Sequence, residues 1–517
     1  MENSINKKLA TFNVFYWCTI SLGIILRISQ YLSNKSLWRD ESRLVLNIIE
    51  RSFFDLSLPL SYEQVAPFGF LYIEKFASIF LGISEYSFRL FPLLCGIASI
   101  FLFLKIVNKI FNPFLSFIAT LLFAILPTFV FYSSEVKPYS SDIFITLFLL
   151  STTLDIDLIN PKFRTLLLLF LEGVILVWFS YPAIFALTSV GIYLFLFLKP
   201  NKEKFSTLPL IFIGWLVNIF SFYYLSRCVL ENSISVQRFW ESTNIIEFFT
   251  FSKIFIWFFR IFTDLFNFIS FDQKVLVLVV VGIVSLYKRR DAKTCTLFSL
   301  PLFLLLVGFI LKLYPPGNRL LLFIVPLLII FIFEAVNLIF NKTWKTFPLI
   351  SILLMGFIFY SPVKDMYLYM KEPPSIEEIK PALSYIKQHL KKGDVIYLNN
   401  HLQYSFKYYA KFYGFNNNFY VFDSKNPYAM KNGFLYKENG YTLFIDPDPE
   451  TTFDCVHLFD KVKGNKRVWI MYSTFVYNPL CSLNETFNYL DTIGVKLGSF
   501  NRPGIKLMLY DLQERAK

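Results

Sequence analysis

The sequence contains only three histidines, His389, His401 and His457, and all of them lie near its C-terminal end. The long apolar part before them therefore has no imidazole, and a catalytic base there would have to be Asp or Glu. The six cysteines show no Cys-x-x-Cys pair and no zinc-type spacing, which argues against a zinc or redox motif. Two of them, Cys455 and Cys481, could form a disulfide if the C-terminal part is exported.

Three further features are missing. No Gly-rich phosphate loop follows a strand in the C-terminal part, so no nucleotide site is predicted there. No basic stripe with interleaved aromatic residues stands out. The net charge is +13, and +9 of it precedes Lys364, where basic residues set membrane orientation and do not indicate a nucleic-acid partner. No internal repeat of broken helices, typical of transporters, is visible.

Apolar residues dominate the chain instead. Hydrophobic residues make up 55% of it, including 63 phenylalanines, and the mean hydropathy is +0.51. These values lie outside the range of soluble globular domains. Apolar runs recur at the length that a tilted helix needs to cross about 30 Å of hydrocarbon. They predict an α-helical polytopic membrane protein with about eleven spans, at 13–32, 88–107, 113–132, 138–154, 164–180, 183–199, 207–226, 274–288, 294–312, 319–340 and 346–362.

The basic residues predict the orientation. Lys7 and Lys8 place the N-terminus inside, and the run after them lacks a small-residue cleavage site, so we expect a retained span and not a signal peptide. The parity requires 227–273 to stay outside or to form a re-entrant pair, with an amphipathic helix in the interface at 248–268. A twelfth span there is the rival interpretation. We expect a multi-pass protein of the cytoplasmic membrane with its C-terminal domain outside. The basic clusters at 105–109, 162–164, 199–204, 288–293 and 342–345 then all fall in inner loops.

The composition changes after the last span. We predict a transmembrane domain at 1–363, with a first outer loop at 33–87, and a small extracytoplasmic α/β domain at 364–517. In the second domain, hydrophobic periodicity predicts helices at 375–390, 403–413 and 484–493 and strands at 394–398, 467–472 and 506–510.

Two adjacent carboxylates, Asp40 and Glu41, follow the first span in the segment Ser-Leu-Trp-Arg-Asp-Glu-Ser. Apolar residues recur at helical spacing from 41 to 54, which predicts an amphipathic helix on the membrane surface. Asp40 could be the N-cap of that helix and Glu41 a first-turn acid. Alternatively, one of them could be a base at the outer face. The spacing alone leaves both interpretations open.

Two other predicted outer turns carry charge. Glu135, Lys137 and Tyr139 lie in the first; an exposed Glu–Lys pair would contribute little, but a Lys beside acids suits a phosphate-bearing substrate. Arg319 lies in the second, where it could simply extend its charge to the interface. Because charged residues at span ends usually face a cavity or a partner, we predict one site that combines these turns with Asp40 and Glu41.

Several of these segments resemble one family, the bacterial GT-C glycosyltransferases of the protein O-mannosyltransferase and aminoarabinose-transferase type. The likeness rests on 36–42, on Gln-Val-Ala-Pro-Phe-Gly-Phe-Leu at 64–71, on 82–92, on 133–142 and on Pro-Pro-Gly-Asn-Arg at 315–319. It implies an enzyme that moves a sugar from a polyprenyl-phosphate donor to a lipid, glycan or protein acceptor at the outer face of the membrane.

The resemblance also implies site residues. Asp40 corresponds to the family's catalytic acid, with Glu41 in support, and substrate contacts are expected at Gln64, Pro67, Glu135, Lys137, Tyr139 and Arg319. The sequence departs from many relatives in having Ala66-Pro67 in place of a Pro-Pro pair. It also has Lys137-Pro138-Tyr139 where some relatives have an Arg and a Tyr.

We therefore expect an inverting transfer in which Asp40 accepts the proton of the acceptor hydroxyl. Lys137 and Arg319 would stabilise the departing lipid phosphate, and Glu135 would position the acceptor or a divalent cation. No cofactor is otherwise indicated, and the expected partners are membrane lipid, the lipid-linked sugar and the acceptor, without nucleic acid. A transporter or flippase of lipid-linked sugars and a non-catalytic membrane scaffold are the alternatives.

Overall fold

The computed structural model describes residues 2–198, 207–230, 251–289, 292–343, 347–415, 434–437, 440–445, 457–474 and 483–513. Cys455, Cys481 and the basic loop at 199–204 lie outside these ranges. The chain divides into two compact units, which we call the membrane unit (1–33 and 66–373) and the sheet unit (34–65 and 374–517). The segment 34–65, predicted as part of the first outer loop, thus belongs to the same unit as the C-terminal residues.

The membrane unit consists of helices, because its long apolar stretches can satisfy their backbone polar groups in lipid only within the same segment. One predicted span, 113–132, is two helices in the structure, since Pro127 cannot donate a backbone hydrogen bond and a new helix begins there. The helices are α1 (Glu2–Leu32), α3 (Phe68–Phe80), α4 (Glu85–Ile110), α5 (Pro113–Ile125), α6 (Pro127–Tyr132), α7 (Tyr139–Thr153), α8 (Phe163–Leu176), α9 (Ala183–Phe197), α10 (Thr207–Leu230), α11 (Phe251–Phe268), α12 (Leu276–Lys288), α13 (Ala292–Ile310), α14 (Val325–Thr343) and α15 (Pro348–Lys371).

The predicted spans overlap helical segments of this unit, although 113–132 is divided in two and 319–340 begins with a 3-10 segment. The chain is a multi-pass membrane protein. Within the described ranges, five helices are both long and apolar enough to cross a membrane. Of the predicted interfacial segment at 248–268, the described residues 251–268 are helical as α11, which is not one of the five; residues 248–250 lie outside the described ranges. The five are α4, residues 209–227 of α10, α13, Asn318–Asn341 and α15.

Close helix contacts define the interior of the membrane unit. A Cβ atom on Gly282 of α12 would lie 1.9 Å from the carbonyl oxygen of Phe331 on α14, so the two backbones meet where only glycine fits. About one helical turn after Phe331, Glu334 is 1% exposed and accepts hydrogen bonds from Arg289 Nη2 at 2.6 Å and from Ser285 Oγ at 2.8 Å. A buried carboxylate with both partners in place is satisfied, which fixes the register of the helix pair.

The sheet unit is an α/β structure, as predicted from its alternating helices and strands. Three parallel strands, β3, β1 and β4, form the centre of a six-stranded sheet in the order β2-β3-β1-β4-β6-β5, and antiparallel strands flank them. Strand β1 and helix α17 have the predicted bounds, whereas β2, β3 and β5 are additional. The elements are α2 (Arg39–Glu50), α16 (Ile379–His389), β1 (Asp394–Leu398), α17 (Gln403–Tyr413), β2 (Phe434–Lys437), β3 (Tyr441–Ile445), β4 (Val468–Ser473), α18 (Leu483–Ile493), β5 (Val495–Arg502) and β6 (Ile505–Asp511).

Helix α2 is anchored within the sheet unit by packing on α17. Its apolar residues Leu44, Val45 and Ile48 are fully buried. Ser42 Oγ and Ser405 Oγ form a hydrogen bond of 3.0 Å between the two helices. The predicted surface helix therefore forms, but its apolar face contributes to a protein core.

Candidate active site

The Asp40–Glu41 pair lies in the first turn of α2. The helix begins two residues before the predicted start and ends at Glu50, and its N-cap is Trp38, which makes no side-chain capping bond. Asp40 is therefore not the N-cap, and the interpretation of this residue as a helix cap is wrong. Both carboxylates still complement the positive end of the helix dipole.

The surroundings of the two acids differ. Glu41 is fully buried, whereas Asp40 is half-buried and accepts a hydrogen bond of 3.3 Å from Gln64 Nε2. Gln64 follows two residues in the left-handed region, Tyr62 (φ 62°) and Glu63 (φ 54°). Such backbone costs free energy for residues other than glycine and often occurs at functional sites. The loop thus directs the Gln64 amide towards Asp40 at the expense of backbone strain.

The same face of the sheet unit contains a second charged group, made of Arg39, Glu377 and His401. Arg39 Nη1 donates to His401 Nδ1 at 2.7 Å, and the Arg39 backbone N–H donates to Glu377 Oε2 at 2.8 Å. Burial, together with the charge of Arg43, lowers the pKa of Arg39 to about 10. Burial, together with the charges of Arg39 and Arg43, lowers the pKa of His401 to about 3. Burial raises the pKa of Glu377, although hydrogen bonds from Ser473 and Arg39 oppose this shift. His401 is therefore neutral at physiological pH.

In the membrane unit, the turn between α6 and α7 holds Glu135, Lys137 and Tyr139. They are only 4%, 6% and 6% exposed, so the alternative of an exposed Glu–Lys pair is wrong. A tight turn with a 2.7 Å bond from Lys137 N to Glu135 O places both side chains at the start of α7. The Tyr369 hydroxyl lies within electrostatic range of Glu135 and Arg89. Buried charges at the end of an apolar helix are costly unless they serve a partner or a ligand.

Arg319 lies beside this turn. It follows Asn318 at the start of a 3-10 segment, Asn318–Ile324, that packs on α7. The guanidinium carbon of Arg319 is 5.9 Å from the centre of the Tyr139 ring, a cation–π distance. The structure thus brings the two charged turns of the membrane unit together.

The predicted site residues are divided between the two units. Asp40, Glu41 and Gln64 lie in the sheet unit. In the membrane unit, Pro67 is buried and is the N-cap of α3, at φ −60° and ψ 140°. Glu135, Lys137, Tyr139 and Arg319 also lie in the membrane unit.

Sequence reasoning missed several charged or polar neighbours of these residues. Asp142 is 5% exposed, follows Tyr139 by one helical turn and interacts electrostatically with Tyr181 and Tyr314. Its position in the segment 133–142 could have indicated this, because helical spacing places Asp142 on the same helix face as Tyr139. His401 offered no such signal, since 362 residues separate it from Arg39.

A comparison with solved structures defines the fold. Archaeal oligosaccharyltransferase AglB from Archaeoglobus fulgidus, in complex with an inhibitory peptide and a dolichol-phosphate, aligns with a TM-score of 0.50 and 11% sequence identity, over 96% of this chain and 74% of AglB. This likeness shows that the chain has the GT-C glycosyltransferase fold. The fold predicted from the sequence resemblance is confirmed.

Two further structures give weaker alignments. ArnT from Cupriavidus metallidurans bound to undecaprenyl phosphate aligns with a TM-score of 0.46 and 11% identity over 95% of this chain and 97% of ArnT. The A. fulgidus oligosaccharyltransferase in complex with Zn and sulfate gives 0.46 and 13% over 76% of this chain, which spans only 61% of that protein. No family model and no curated protein matches the sequence.

Proposed function

We propose that this protein is a polyprenyl-phosphate-dependent glycosyltransferase that acts at the outer face of the cytoplasmic membrane. The observation that carries the proposal is the pair of acids in the first turn of α2, with Asp40 half-buried and held by Gln64 next to strained backbone. The fold supports it, because the aligned AglB structure contains a dolichol-phosphate. The acceptor would be a lipid, a glycan or a protein, with the N-terminus of the chain cytoplasmic and the sheet unit outside.

The proposed mechanism is an inverting transfer. Asp40 accepts the proton of the acceptor hydroxyl as the oxygen attacks the anomeric carbon, and the bond from that carbon to the lipid phosphate breaks. Lys137 and Arg319 stabilise the negative charge of the departing phosphate. Glu41, fully buried, supports the first turn of α2. Tyr139 orients Arg319 through its ring, and Pro67 sets the start of α3.

Glu135 is assigned to the acceptor. The alternative role, holding a divalent cation, lacks a matching ligand set, because no three His, Cys, Asp or Glu side chains converge among the described residues. Transfer measured with a chelator and then with added Mg²⁺ or Mn²⁺ tests this alternative directly.

The decisive experiment offers a labelled polyprenyl-phosphate sugar to the purified protein in membranes together with candidate acceptors. Asp40→Asn should reduce transfer by about 10²–10⁴-fold, the usual contribution of a general base. Glu372→Gln, at an exposed acid directly after α15, should retain activity. Wild-type turnover by the Asp40→Asn protein would remove Asp40 from the mechanism. Movement of the intact donor across the bilayer without transfer would favour a flippase. The absence of both transfer and movement would favour a scaffold.

The role of Lys137 is tested through the donor. Lys137→Ala should weaken donor use, and Lys137→Arg should recover much of it, because the phosphate needs the charge more than the shape. An unchanged dependence on donor concentration in Lys137→Ala would remove Lys137 from the phosphate contacts. The double variant of Lys137→Ala and Asp40→Asn should also be measured. If it loses no more transfer activity than Asp40→Asn alone, both residues act in the same chemical step.

A further inference from the structure

One side of α2 carries two arginines, Arg39 and Arg43, one helical turn apart. Residues at this spacing are neighbours on a helix surface. Arg39 Nη1 donates to the neutral ring of His401 at 2.7 Å. Arg43 Nη2 donates to the Tyr404 hydroxyl at 3.3 Å, and its guanidinium carbon lies 4.5 Å from the centre of the Tyr404 ring. The side-chain partners of both guanidinium groups are thus uncharged.

Direct ion pairs to the two guanidinium groups are missing among the described residues. Among the described residues, neither guanidinium makes a salt bridge with a carboxylate, and the Nε atom of each is buried without a hydrogen-bond partner. Asp40 and Glu377 lie within electrostatic range of Arg39, and Glu377 also lies within electrostatic range of Arg43. However, Glu377 accepts from the Arg39 backbone and from Ser473 Oγ at 2.6 Å, and does not contact the guanidinium.

Such an arrangement costs free energy in the protein alone. Like charges one turn apart destabilise a helix, and charges removed from water require partners to offset the lost hydration. The surroundings nevertheless hold both arginines in place. Tyr404 stacks on Arg43 and is itself backed by the Tyr62 ring, at 5.3 Å between ring centres. Two oriented guanidinium groups without a carboxylate contact are the chemistry that binds an oxyanion.

We propose that Arg39 and Arg43 form a binding site for a phosphate group, with Tyr404 and His401 as its walls. The planar guanidinium donates two parallel N–H bonds to phosphate oxygens, which a lysine cannot do. The ligand is a phosphate ester, carried either by a lipid or by a soluble molecule. This site lies entirely in the sheet unit and is distinct from Lys137 and Arg319, which the proposed transfer assigns to the donor phosphate.

The test is thermal unfolding of the purified full chain, titrated with inorganic phosphate at constant ionic strength. Wild-type protein should show a saturable rise in Tm, because a ligand that binds only the folded state stabilises it. Arg39→Gln and Arg43→Gln should each remove that rise. Arg502→Gln, which removes the same charge from an exposed arginine on β5 of the same unit, should retain it.

A second arm distinguishes the two sources of phosphate. The titration is repeated with polyprenyl phosphate in detergent, and only the part of the Tm shift that Arg43→Gln abolishes is assigned to this site. An Arg43-dependent shift with the lipid alone identifies a lipid ligand; an equal shift with inorganic phosphate identifies a soluble one. Arg43→Lys keeps the charge without the planar fork and should bind at least about tenfold more weakly. It serves as the test variant if the glutamine variants do not fold.

The proposal is overturned if neither probe shifts the Tm of the wild type, or if Arg43→Gln and wild type shift equally. These outcomes are independent of sugar transfer. If the wild-type protein transfers sugar but its Tm does not shift with phosphate, only the proposal of this binding site is wrong. If the Tm shows an Arg43-dependent shift but the protein transfers no sugar, only the proposed function is wrong.

Discussion

Acid should destabilise the sheet unit through His401. Burial, with additional contributions from the charges of Arg39 and Arg43, lowers the pKa of this histidine from 6.5 to about 3. Below pH 6.5 the unfolded chain binds a proton that the folded chain does not bind until about pH 3, so stability is lost as the pH falls through that window. Between pH 7.5 and pH 5 the loss from this one group is about 2 kcal/mol. For a unit of this size the loss corresponds to a decrease in Tm of about 4–8 °C.

The assay compares Tm values of wild type and His401→Asn in the full chain at pH 7.5, 6.25 and 5. Asparagine offers Arg39 an oxygen acceptor but cannot titrate, so the variant should lose about 4–8 °C less than wild type over this range. Glu377, whose pKa is raised, acts in the opposite direction in both proteins and cancels in the comparison. His389→Asn makes the same exchange at an exposed histidine of the unit and should follow the wild type. Parallel profiles for wild type and His401→Asn would refute the reasoning.

The remaining predictions concern packing and buried charge. Asp394 is 1% exposed and accepts from Arg467 Nε and Trp469 Nε1, both at 2.8 Å. Asp394→Asn should cost about 3–5 kcal/mol, seen as a lower Tm. Asp491→Asn, at an exposed residue of α18, keeps the oxygen that accepts from the Tyr510 hydroxyl and should cost little. Gly282→Ala should separate α12 from α14 and abolish the monodisperse peak in size-exclusion chromatography. Gly356→Ala, whose Cβ would meet nothing within 4 Å, should elute normally. Ser84→Ala removes the capping box of α4 and should lower stability by about 1 kcal/mol, measured by thermal unfolding.

Hydropathy predicted most of the long helices of the membrane unit, because in lipid only regular, internally bonded segments are stable. It did not predict α3, which lies in the segment predicted as the first outer loop. It could not distinguish a break such as that before Pro127 from a continuous span of the same composition. In the sheet unit, β1 is an apolar run and was predicted with its observed bounds. Strand β5 is largely exposed at the edge of the sheet, so it lacks the alternation that reveals a half-buried strand.

The candidate site was predictable as residue types and only partly as geometry. Asp40, Lys137 and Arg319 carry charge next to apolar runs, which is visible in one dimension. The left-handed backbone at Tyr62 and Glu63 is not visible, because neither residue type signals positive φ. The contact of Arg39 with His401 depends on a fold that joins distant segments, and local periodicity contains no information about it.

The assembly of the sheet unit from 34–65 and 374–517 has a consequence for biosynthesis. Helix α2 leaves the ribosome early, but the partner that covers its apolar face, α17, is translated more than 300 residues later. Until then Leu44, Val45 and Ile48 have no native neighbour from that helix, and contacts so distant in sequence form late. We therefore expect the first loop to require a membrane surface or a chaperone during synthesis. A soluble fragment of the sheet unit should therefore contain residues 34–65 joined to 374–517, and not 374–517 alone.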